Sequence, residues 1–139
     1  MIPRFIFRAL DRLLPPSSAA PHFITGQRGE DEAFFYLRGH GYTIVARNFR
    51  VPSLRGELDL VAWEGDTLCF VEVKTRTAHD DWTPESAVDA AKRDDLRQIA
   101  RAYLRKLKAE PLVRFDIVSV YLEGAAPEVQ LFKNAFPMS

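Results

Sequence analysis

The fold of this chain is decided by one stretch near its middle, Gly56-Glu57-Leu58-Asp59-Leu60-Val61-Ala62-Trp63-Glu64-Gly65-Asp66-Thr67-Leu68-Cys69-Phe70-Val71-Glu72-Val73-Lys74. Two apolar runs flank Gly65-Asp66, and a Gly-Asp pair in that position is typical of a β-hairpin with a two-residue turn. Such a turn pairs Glu64 with Thr67, and each step outward adds one further pair. The stretch therefore predicts two adjacent antiparallel strands in a defined register.

In that register, charged side chains lie where a buried strand usually has apolar ones. Asp59 falls opposite Glu72, and Glu57 falls opposite Lys74. Because strand side chains alternate, these four share one face; the other face carries Leu58, Leu60, Val71 and Val73. Directly opposed carboxylates repel each other, and a divalent cation would offset that repulsion.

Two other interpretations of the same hairpin stay open. A three-residue loop would shift the pairing by one residue and send Asp59 and Glu72 to opposite faces. Alternatively, both carboxylates are solvated on the outer face of an ordinary hairpin.

A longer set of motifs surrounds the hairpin. Asp59, twelve intervening residues and then Glu72-Val73-Lys74 resemble the D…E-x-K core of the PD-(D/E)XK nuclease superfamily, with Leu58-Asp59 in place of Pro-Asp. The other motifs are Gly26-x-x-Gly29-Glu30-x-x-Ala33, Gly41-Tyr42, Arg47-Asn48-Phe49-Arg50, Gly56-Glu57-Leu58-Asp59-Leu60, Phe70-Val71 before the E-x-K string and Thr75-Arg76 after it, Ala87-Val88, Lys92, Tyr103-Leu104, Arg114-Phe115-Asp116 and Asn134-Ala135-Phe136. Together, over residues 24–136, they are similar to the YraN family, small bacterial proteins that resemble archaeal Holliday-junction resolvases in fold.

The resemblance implies an α/β fold with a restriction-endonuclease-like αβββαβ core, in which helices flank a mixed sheet. It also implies a metal site for Mg²⁺ or Mn²⁺. Glu30, Asp59 and Glu72 would hold the ion, with the Val73 carbonyl contributing.

Further residues would complete the implied site. Lys74 would orient the attacking water or stabilise developing charge. Glu57 would be either a further ligand or the partner that fixes Lys74, and the hairpin pairing favours the partner role. The candidates for contact with nucleic acid are Arg47, Arg50, Arg55, Arg76 and Lys92. Arginines at strand ends are as often simply solvated.

Two functions are compatible with these residues. The first is a metal-dependent endonuclease of the PD-(D/E)XK type acting on DNA, including branched or flapped DNA. The second is a catalytically silent module that keeps the nuclease fold and binds DNA or a protein partner. A formal net charge of zero favours the second, whereas the retained carboxylates favour the first. The similarity to junction resolvases also implies a homodimer.

Composition predicts a globular protein. The 139 residues are 47% hydrophobic and 27% charged, which suits a single core without covalent cross-links. The lone cysteine, Cys69, falls inside a predicted buried strand and fits a reducing cytoplasm. The N-terminus lacks a continuous apolar signal region, and no stretch is long enough to span a membrane.

The chain divides into an extension with a linker, residues 1–23, and a nuclease-like domain, residues 24–139. The extension either forms a short amphipathic helix that anchors a partner or a membrane surface, or packs locally without such a role. The domain should open with a helix from Thr25 to Gly39 or Gly41. On this helix Glu30 shares the apolar face, whereas Asp31 and Glu32 should face solvent.

A second helix should begin at Thr83-Pro84 and end near Lys108. Its outer side carries Arg93, Arg97, Arg101 and Arg105, which form either a solvated basic face or a track for phosphates. His79, in the polar loop before it, should be exposed and without a role.

Three further strands are predicted, over residues 42–50, 112–122 and 129–132. In the first, Ile44 and Ala46 should share one face, and Val45 and Arg47 the other. Asp116 lies inside the second strand, where it should satisfy a nearby arginine rather than join the site.

Overall fold

The computed structural model describes residues 21–76 and 88–139 of the chain, and the side chains of residues 26–76 and 88–139. These residues form two helices and five strands: α1 (Pro21–Gly39), β1 (Tyr42–Phe49), β2 (Leu58–Glu64), β3 (Thr67–Arg76), α2 (Ala90–Leu104), β4 (Leu112–Tyr121) and β5 (Glu128–Phe136). Their order confirms the predicted αβββαβ core, with β5 added to it. Neither helix of the described part is long and apolar enough to cross a membrane.

The five strands form one mixed sheet in the order β1-β2-β3-β4-β5. β3 and β4 are parallel, with α2 in the connection between them, and the other neighbours are antiparallel. The helices cover opposite faces of the sheet. Leu96 and Ile99 of α2 pack with Phe70, whereas Leu37 of α1 packs with Val71, the next residue of the same strand.

The hairpin has the predicted register. Glu64 pairs with Thr67 across the two-residue turn, and the pairing continues outward to Leu60 and Val71. Gly65 has a φ of +57°, which suits glycine in such a turn. The prediction that Leu58 and Leu60 share a face is wrong, because Leu58 packs in the α2-side core and Leu60 in the α1-side core.

Strand β1 departs from simple alternation. The register with β2 shifts between Ile44 and Ala46, so Val45 is an extra residue in a β-bulge. Ile44 therefore packs toward the α1 side and Ala46 toward the α2 side, against the prediction that they share a face. Val45 is left 46% exposed.

Helix α1 ends at Gly39, as predicted, but the start of α1 and both ends of α2 differ from those predicted. α1 begins at Pro21, four residues before Thr25 and within the range assigned to the extension. α2 begins at Ala90 because Asp89 is its N-cap, with extended backbone (φ −71°, ψ 172°), so the helix cannot run unbroken from Thr83. It ends at Leu104 rather than near Lys108. The predicted start at Thr83-Pro84, the His79 loop and residues 1–20 lie outside the described residues.

The remaining elements largely follow prediction. β4 matches within one residue, whereas β5 is longer than the segment 129–132. Cys69 is buried, as predicted. Glu32 is also buried, at 8% exposure, although it was predicted to face solvent, and Asp31 is half-buried in an ion pair with Arg47 (2.8 Å).

Candidate functional site

The candidate site lies at the end of the sheet where β2 starts and β3 finishes. Helix α1 reaches this end through Gly29, where an added Cβ would lie only 1.8 Å from Thr75 Oγ1 of β3. Because a side chain at position 29 has no room, helix and strand approach closely there. The close approach places the next residue, Glu30, beside the carboxylates of the hairpin.

Three carboxylates form the centre of the site. Oxygens of Glu30, Glu57 and Asp59 all lie within 4.8 Å of one another. Asp59 is buried at 8% exposure, and its Oδ2 accepts a hydrogen bond from the Val73 N–H (2.8 Å). We refer to Glu30, Glu57 and Asp59 as the acidic cluster.

The carboxylates perturb one another. Burial raises the pKa of Asp59 to about 8, and the negative charge of the neighbouring Glu72 contributes to that rise. Burial, followed by the charge of Glu57, also raises the pKa of Glu30. Among the described residues, neither Glu30 nor Asp59 has a cationic side chain at ion-pair distance.

Glu57 of the acidic cluster and the neighbouring Glu72, in contrast, are paired with cations. Arg50 Nη2 lies 2.7 Å from Glu57 Oε2. Lys92 Nζ lies 2.7 Å from Glu72 Oε1, and Lys74 Nζ lies 3.6 Å from the same oxygen. Glu72 therefore forms ion pairs with two lysines.

The two lysines respond differently to this environment. Burial lowers the pKa of Lys74, and the nearby Lys92 charge lowers it further. For Lys92, burial acts in the same direction, but the adjacent Glu72 carboxylate raises its pKa above the usual lysine value. Both ammonium groups are thus held by a single glutamate.

The structure brings together Glu30, Asp59, Glu72 and Lys74, which were predicted as site residues. The β2–β3 ladder ends at Leu60 and Val71, so it does not include the predicted pairs Asp59–Glu72 and Glu57–Lys74. The ion-pair partner of Glu57 is Arg50, and that of Lys74 is Glu72. Glu57 lies just before β2, where it pairs with Arg50 and lies close to the other two carboxylates of the acidic cluster. Val73 contacts Asp59 through its N–H. Ligand roles for the Val73 carbonyl and for Glu72 stay predictions, since the close group of carboxylates contains Glu57 and not Glu72.

Of the residues predicted to contact nucleic acid, some form ion pairs with carboxylates of the site and others do not. Arg50 and Lys92 belong to the site through their ion pairs. Arg47 instead pairs with Asp31 and lies over the Phe34 ring, with its guanidinium carbon 5.0 Å from the centroid. Arg55 is exposed, and Arg76 is half-buried at the end of β3.

Sequence reasoning did not foresee that Arg50 and Lys92 neutralise carboxylates. For Lys92 a local signal existed: Asp89 accepts a hydrogen bond from the Lys92 N–H (2.8 Å), as an N-cap residue does with the third residue after it. That cap places Lys92 in the first turn of α2, which faces the carboxyl end of β3.

An open cleft of about 440 Å³ borders the site. It lies between the start of β2 and the first turns of α2, and its lining includes Glu57, Asp59 and Lys92 together with Asp89 and Asp95. The cleft gives a ligand access to the carboxylates from the side of α2.

The arginines on α2 make internal contacts. Arg97 Nε donates to the Pro137 carbonyl (3.0 Å), and Arg101 Nη2 to the Met138 carbonyl (3.4 Å). The guanidinium groups of Arg93 and Arg97 also lie over the Phe136 ring, at 5.4 and 5.6 Å from its centroid. These contacts hold the segment after β5 against α2. They do not support the prediction that the arginines of α2 form a track for phosphates.

The donor set fits a hard divalent cation. Three carboxylates supply oxygen atoms at close range, and two of them lack a neutralising side chain among the described residues. Mg²⁺ and Mn²⁺ prefer such oxygens, and an ion there would offset the burial and the neighbouring negative charges that raise the pKa of Asp59.

Comparison with known sequences agrees with the motifs. The model of the family described as Uncharacterised protein family UPF0102 matches residues 29–120. A UPF0102 protein of Koribacter versatilis is 54% identical over 132 residues, which cover 95% of this chain and 92% of the relative. One of Solibacter usitatus is 50% identical over 94% of this chain and 97% of the relative. One of Geobacter metallireducens is 38% identical over 82% and 93%, respectively. The predicted resemblance to the YraN family is thereby confirmed.

Proposed function

The chain belongs to the uncharacterised family UPF0102, and from this premise and the geometry of its site we propose that it is a metal-dependent nuclease acting on DNA phosphodiesters. The observation that carries the proposal is the acidic cluster beside the Glu72–Lys74 pair. Carboxylates that lie this close together with raised pKa values are found more often at functional sites than in purely structural positions.

The roles follow from the contacts. Glu30, Glu57 and Asp59 would hold Mg²⁺ or Mn²⁺. When bound, the ion would supply a water of lowered pKa and neutralise charge on the phosphodiester. The Val73 N–H fixes one Asp59 oxygen and leaves the other for the ion.

Lys74 would act on the reacting phosphate or water. Its ammonium lies 3.6 Å from Glu72 and its side chain is 26% exposed, so it is oriented yet reachable from solvent. A positive point charge in this position can stabilise the negative charge that develops during phosphodiester hydrolysis. Branched and flapped DNA are the substrates that the resemblance to junction resolvases favours.

A cleavage assay with Lys74→Ala tests the proposal. Purified wild type, Lys74→Ala and Lys108→Ala, a matched loss of an exposed lysine remote from the site, are incubated with linear, flapped and four-way DNA and Mg²⁺ or Mn²⁺. We expect cleavage by the wild type and Lys108→Ala, and none by Lys74→Ala or in chelator. Equal cleavage by all three proteins would indicate a contaminant, and no cleavage by the wild type would leave a binding module.

A further inference from the structure

Glu57 and Glu72 are each paired with a cation that solvent can reach. The Arg50 side chain is 72% exposed, whereas its partner Glu57 is 23% exposed. Lys92 is 43% exposed, whereas its partner Glu72 is 5% exposed. The cations can therefore swing outward while the carboxylates stay in place.

Two arginines of the described residues, in contrast, are mostly buried in their ion pairs. Arg114 is 18% exposed and holds the fully buried Asp116 through two donor nitrogens. Arg97 is 16% exposed and is also bonded to the Pro137 carbonyl. These arginines are fixed parts of the fold, whereas Arg50 and Lys92 are each held at the site by one carboxylate.

We propose that Arg50 and Lys92 exchange partners during ligand binding: they leave Glu57 and Glu72 for DNA phosphates when a divalent ion neutralises the carboxylates. This inference rests on the proposed function, because it requires that the site takes both a metal ion and a nucleic acid. Its consequence is that metal and DNA bind cooperatively.

The coupling has a simple electrostatic origin. Without a metal ion, the cleft combines Glu57 and Asp59 with Asp89 and Asp95, so it repels a polyanion and its nearby cations are already engaged. A divalent ion weakens the hold of Glu57 and Glu72 on Arg50 and Lys92, which become free to bind phosphate. Conversely, a phosphate that takes these cations leaves the carboxylates for the metal ion.

Thermodynamic linkage makes the effect reciprocal. If Mg²⁺ raises the affinity for DNA by some factor, DNA must raise the affinity for Mg²⁺ by the same factor, and such factors are typically about 5 to 150. The reciprocity separates real coupling from a general effect of salt on DNA binding, which lowers affinity instead.

The test compares two charge-matched double variants. Arg50→Gln/Lys92→Gln removes the exchangeable cations, and Arg105→Gln/Lys108→Gln removes one arginine and one lysine from the far end of α2 and the loop after it. Anisotropy of a fluorescein-labelled four-way junction gives the DNA affinity over a Mg²⁺ series at constant ionic strength. Calorimetry gives the Mg²⁺ affinity with and without the junction. Every protein in this comparison, including the one called wild type below, also carries Lys74→Ala, which should prevent cleavage, and a denaturing gel checks that the DNA is intact.

We expect equal reciprocal factors well above one for the wild type and the control. For Arg50→Gln/Lys92→Gln the factor should fall close to one, while Mg²⁺ alone binds at least as tightly as in the wild type because its competitors are gone. A wild type that binds both ligands independently, or a site variant that keeps the full factor, would overturn the exchange but leave the proposed function intact. Failure of the wild type to bind either ligand would overturn both.

Discussion

Asp59 is buried in β2, and its carboxylate meets the charges of Glu72 and Glu30 without a cation at ion-pair distance among the described residues. Near neutral pH the folded protein keeps a proton on Asp59 that the unfolded chain releases, and this difference lowers stability. Asp59→Asn removes this cost at almost constant shape, and the amide oxygen can still accept the Val73 N–H. We expect the variant, in chelator near neutral pH, to be more stable than the wild type by roughly 1 kcal/mol, a typical size for one substitution.

Thermal melts measure this difference directly. Several millimolar Mg²⁺ or Mn²⁺ should stabilise the wild type, since a ligand that binds only the folded state raises its stability. The shift should shrink or vanish in Asp59→Asn, which lacks one ligand. The metal site would be contradicted if added metal did not change the melting temperature of the wild type and if Asp59→Asn melted no higher than the wild type in chelator.

The same residue gives the apo protein a pH dependence. The pKa of Asp59 is about 8 in the folded state and 3.8 in its ordinary state, so the folded protein keeps a proton that the unfolded chain releases. Between these values, unfolding releases a proton, and stability should fall as pH rises from about 4 to about 8. Urea titrations across this range should show a steeper fall for the wild type than for Asp59→Asn; parallel curves would assign the dependence to other groups.

At the scale of secondary-structure elements, the contact between α1 and β3 sets the position of Glu30. An added Cβ at Gly29 would meet the Thr75 side chain at 1.8 to 2.9 Å. Gly29→Ala should therefore destabilise the protein by about 1–3 kcal/mol, the usual cost of overpacking, and weaken metal binding by displacing Glu30.

A double-mutant cycle with Thr75→Ala isolates this contact. Thr75→Ala removes Oγ1 and Cγ2 but keeps Cβ, so Gly29→Ala should cost less in that background. Gly26→Ala is the matched control, because nothing lies within 4 Å of a Cβ built there. Equal costs in both backgrounds would mean that the helix does not meet the strand at this point.

The basic face of α2 gives a second prediction at this scale. Arg97 bonds to Pro137 and lies over Phe136, so Arg97→Gln should lower stability by roughly 1 kcal/mol. It should leave the slope of log DNA affinity against log salt unchanged, since a lost phosphate contact would reduce it by about 0.9. Arg105→Gln serves as the exposed control. A reduced slope for Arg97→Gln would restore the phosphate track.

Local patterns predicted most elements and the hairpin register, because turn chemistry and strand alternation act between near neighbours. They did not predict the bulge at Val45, which depends on how β1 fits β2, nor the start of α2 at Ala90. The pairs Arg50–Glu57 and Lys92–Glu72 were also missed. Arg50 and Glu57 lie at the two ends of the loop between β1 and β2, whereas Lys92 and Glu72 lie on α2 and β3. The geometry of both pairs depends on where β2 and α2 begin in the folded chain.

At the scale of the whole molecule, the sheet carries charged groups near both of its ends, and the two groups are built differently. At the site, carboxylates outnumber the cations close to them. Near the hairpin turn, Arg114 donates to Asp116 (2.8 and 3.0 Å) and to Glu64 (2.8 Å). The bonds from Arg114 confirm the prediction that Asp116 satisfies a nearby arginine. Asp116 also accepts hydrogen bonds from the Tyr42 hydroxyl (3.1 Å) and the Asn134 N–H (2.9 Å).

This second group joins strands from both edges of the sheet, so its loss should affect the entire fold. Asp116→Asn keeps the shape but takes the charge from a fully buried partner of Arg114, and breaking such a pair typically costs about 3–5 kcal/mol. Urea denaturation should show a large loss of stability, opposite in sign to that of Asp59→Asn, although both substitutions neutralise a buried aspartate. If both variants shifted stability in the same direction, the division between a functional and a structural end would be wrong. Opposite signs would show that the fold stabilises the sheet near the hairpin turn while it tolerates repulsion at the end where a ligand can relieve it.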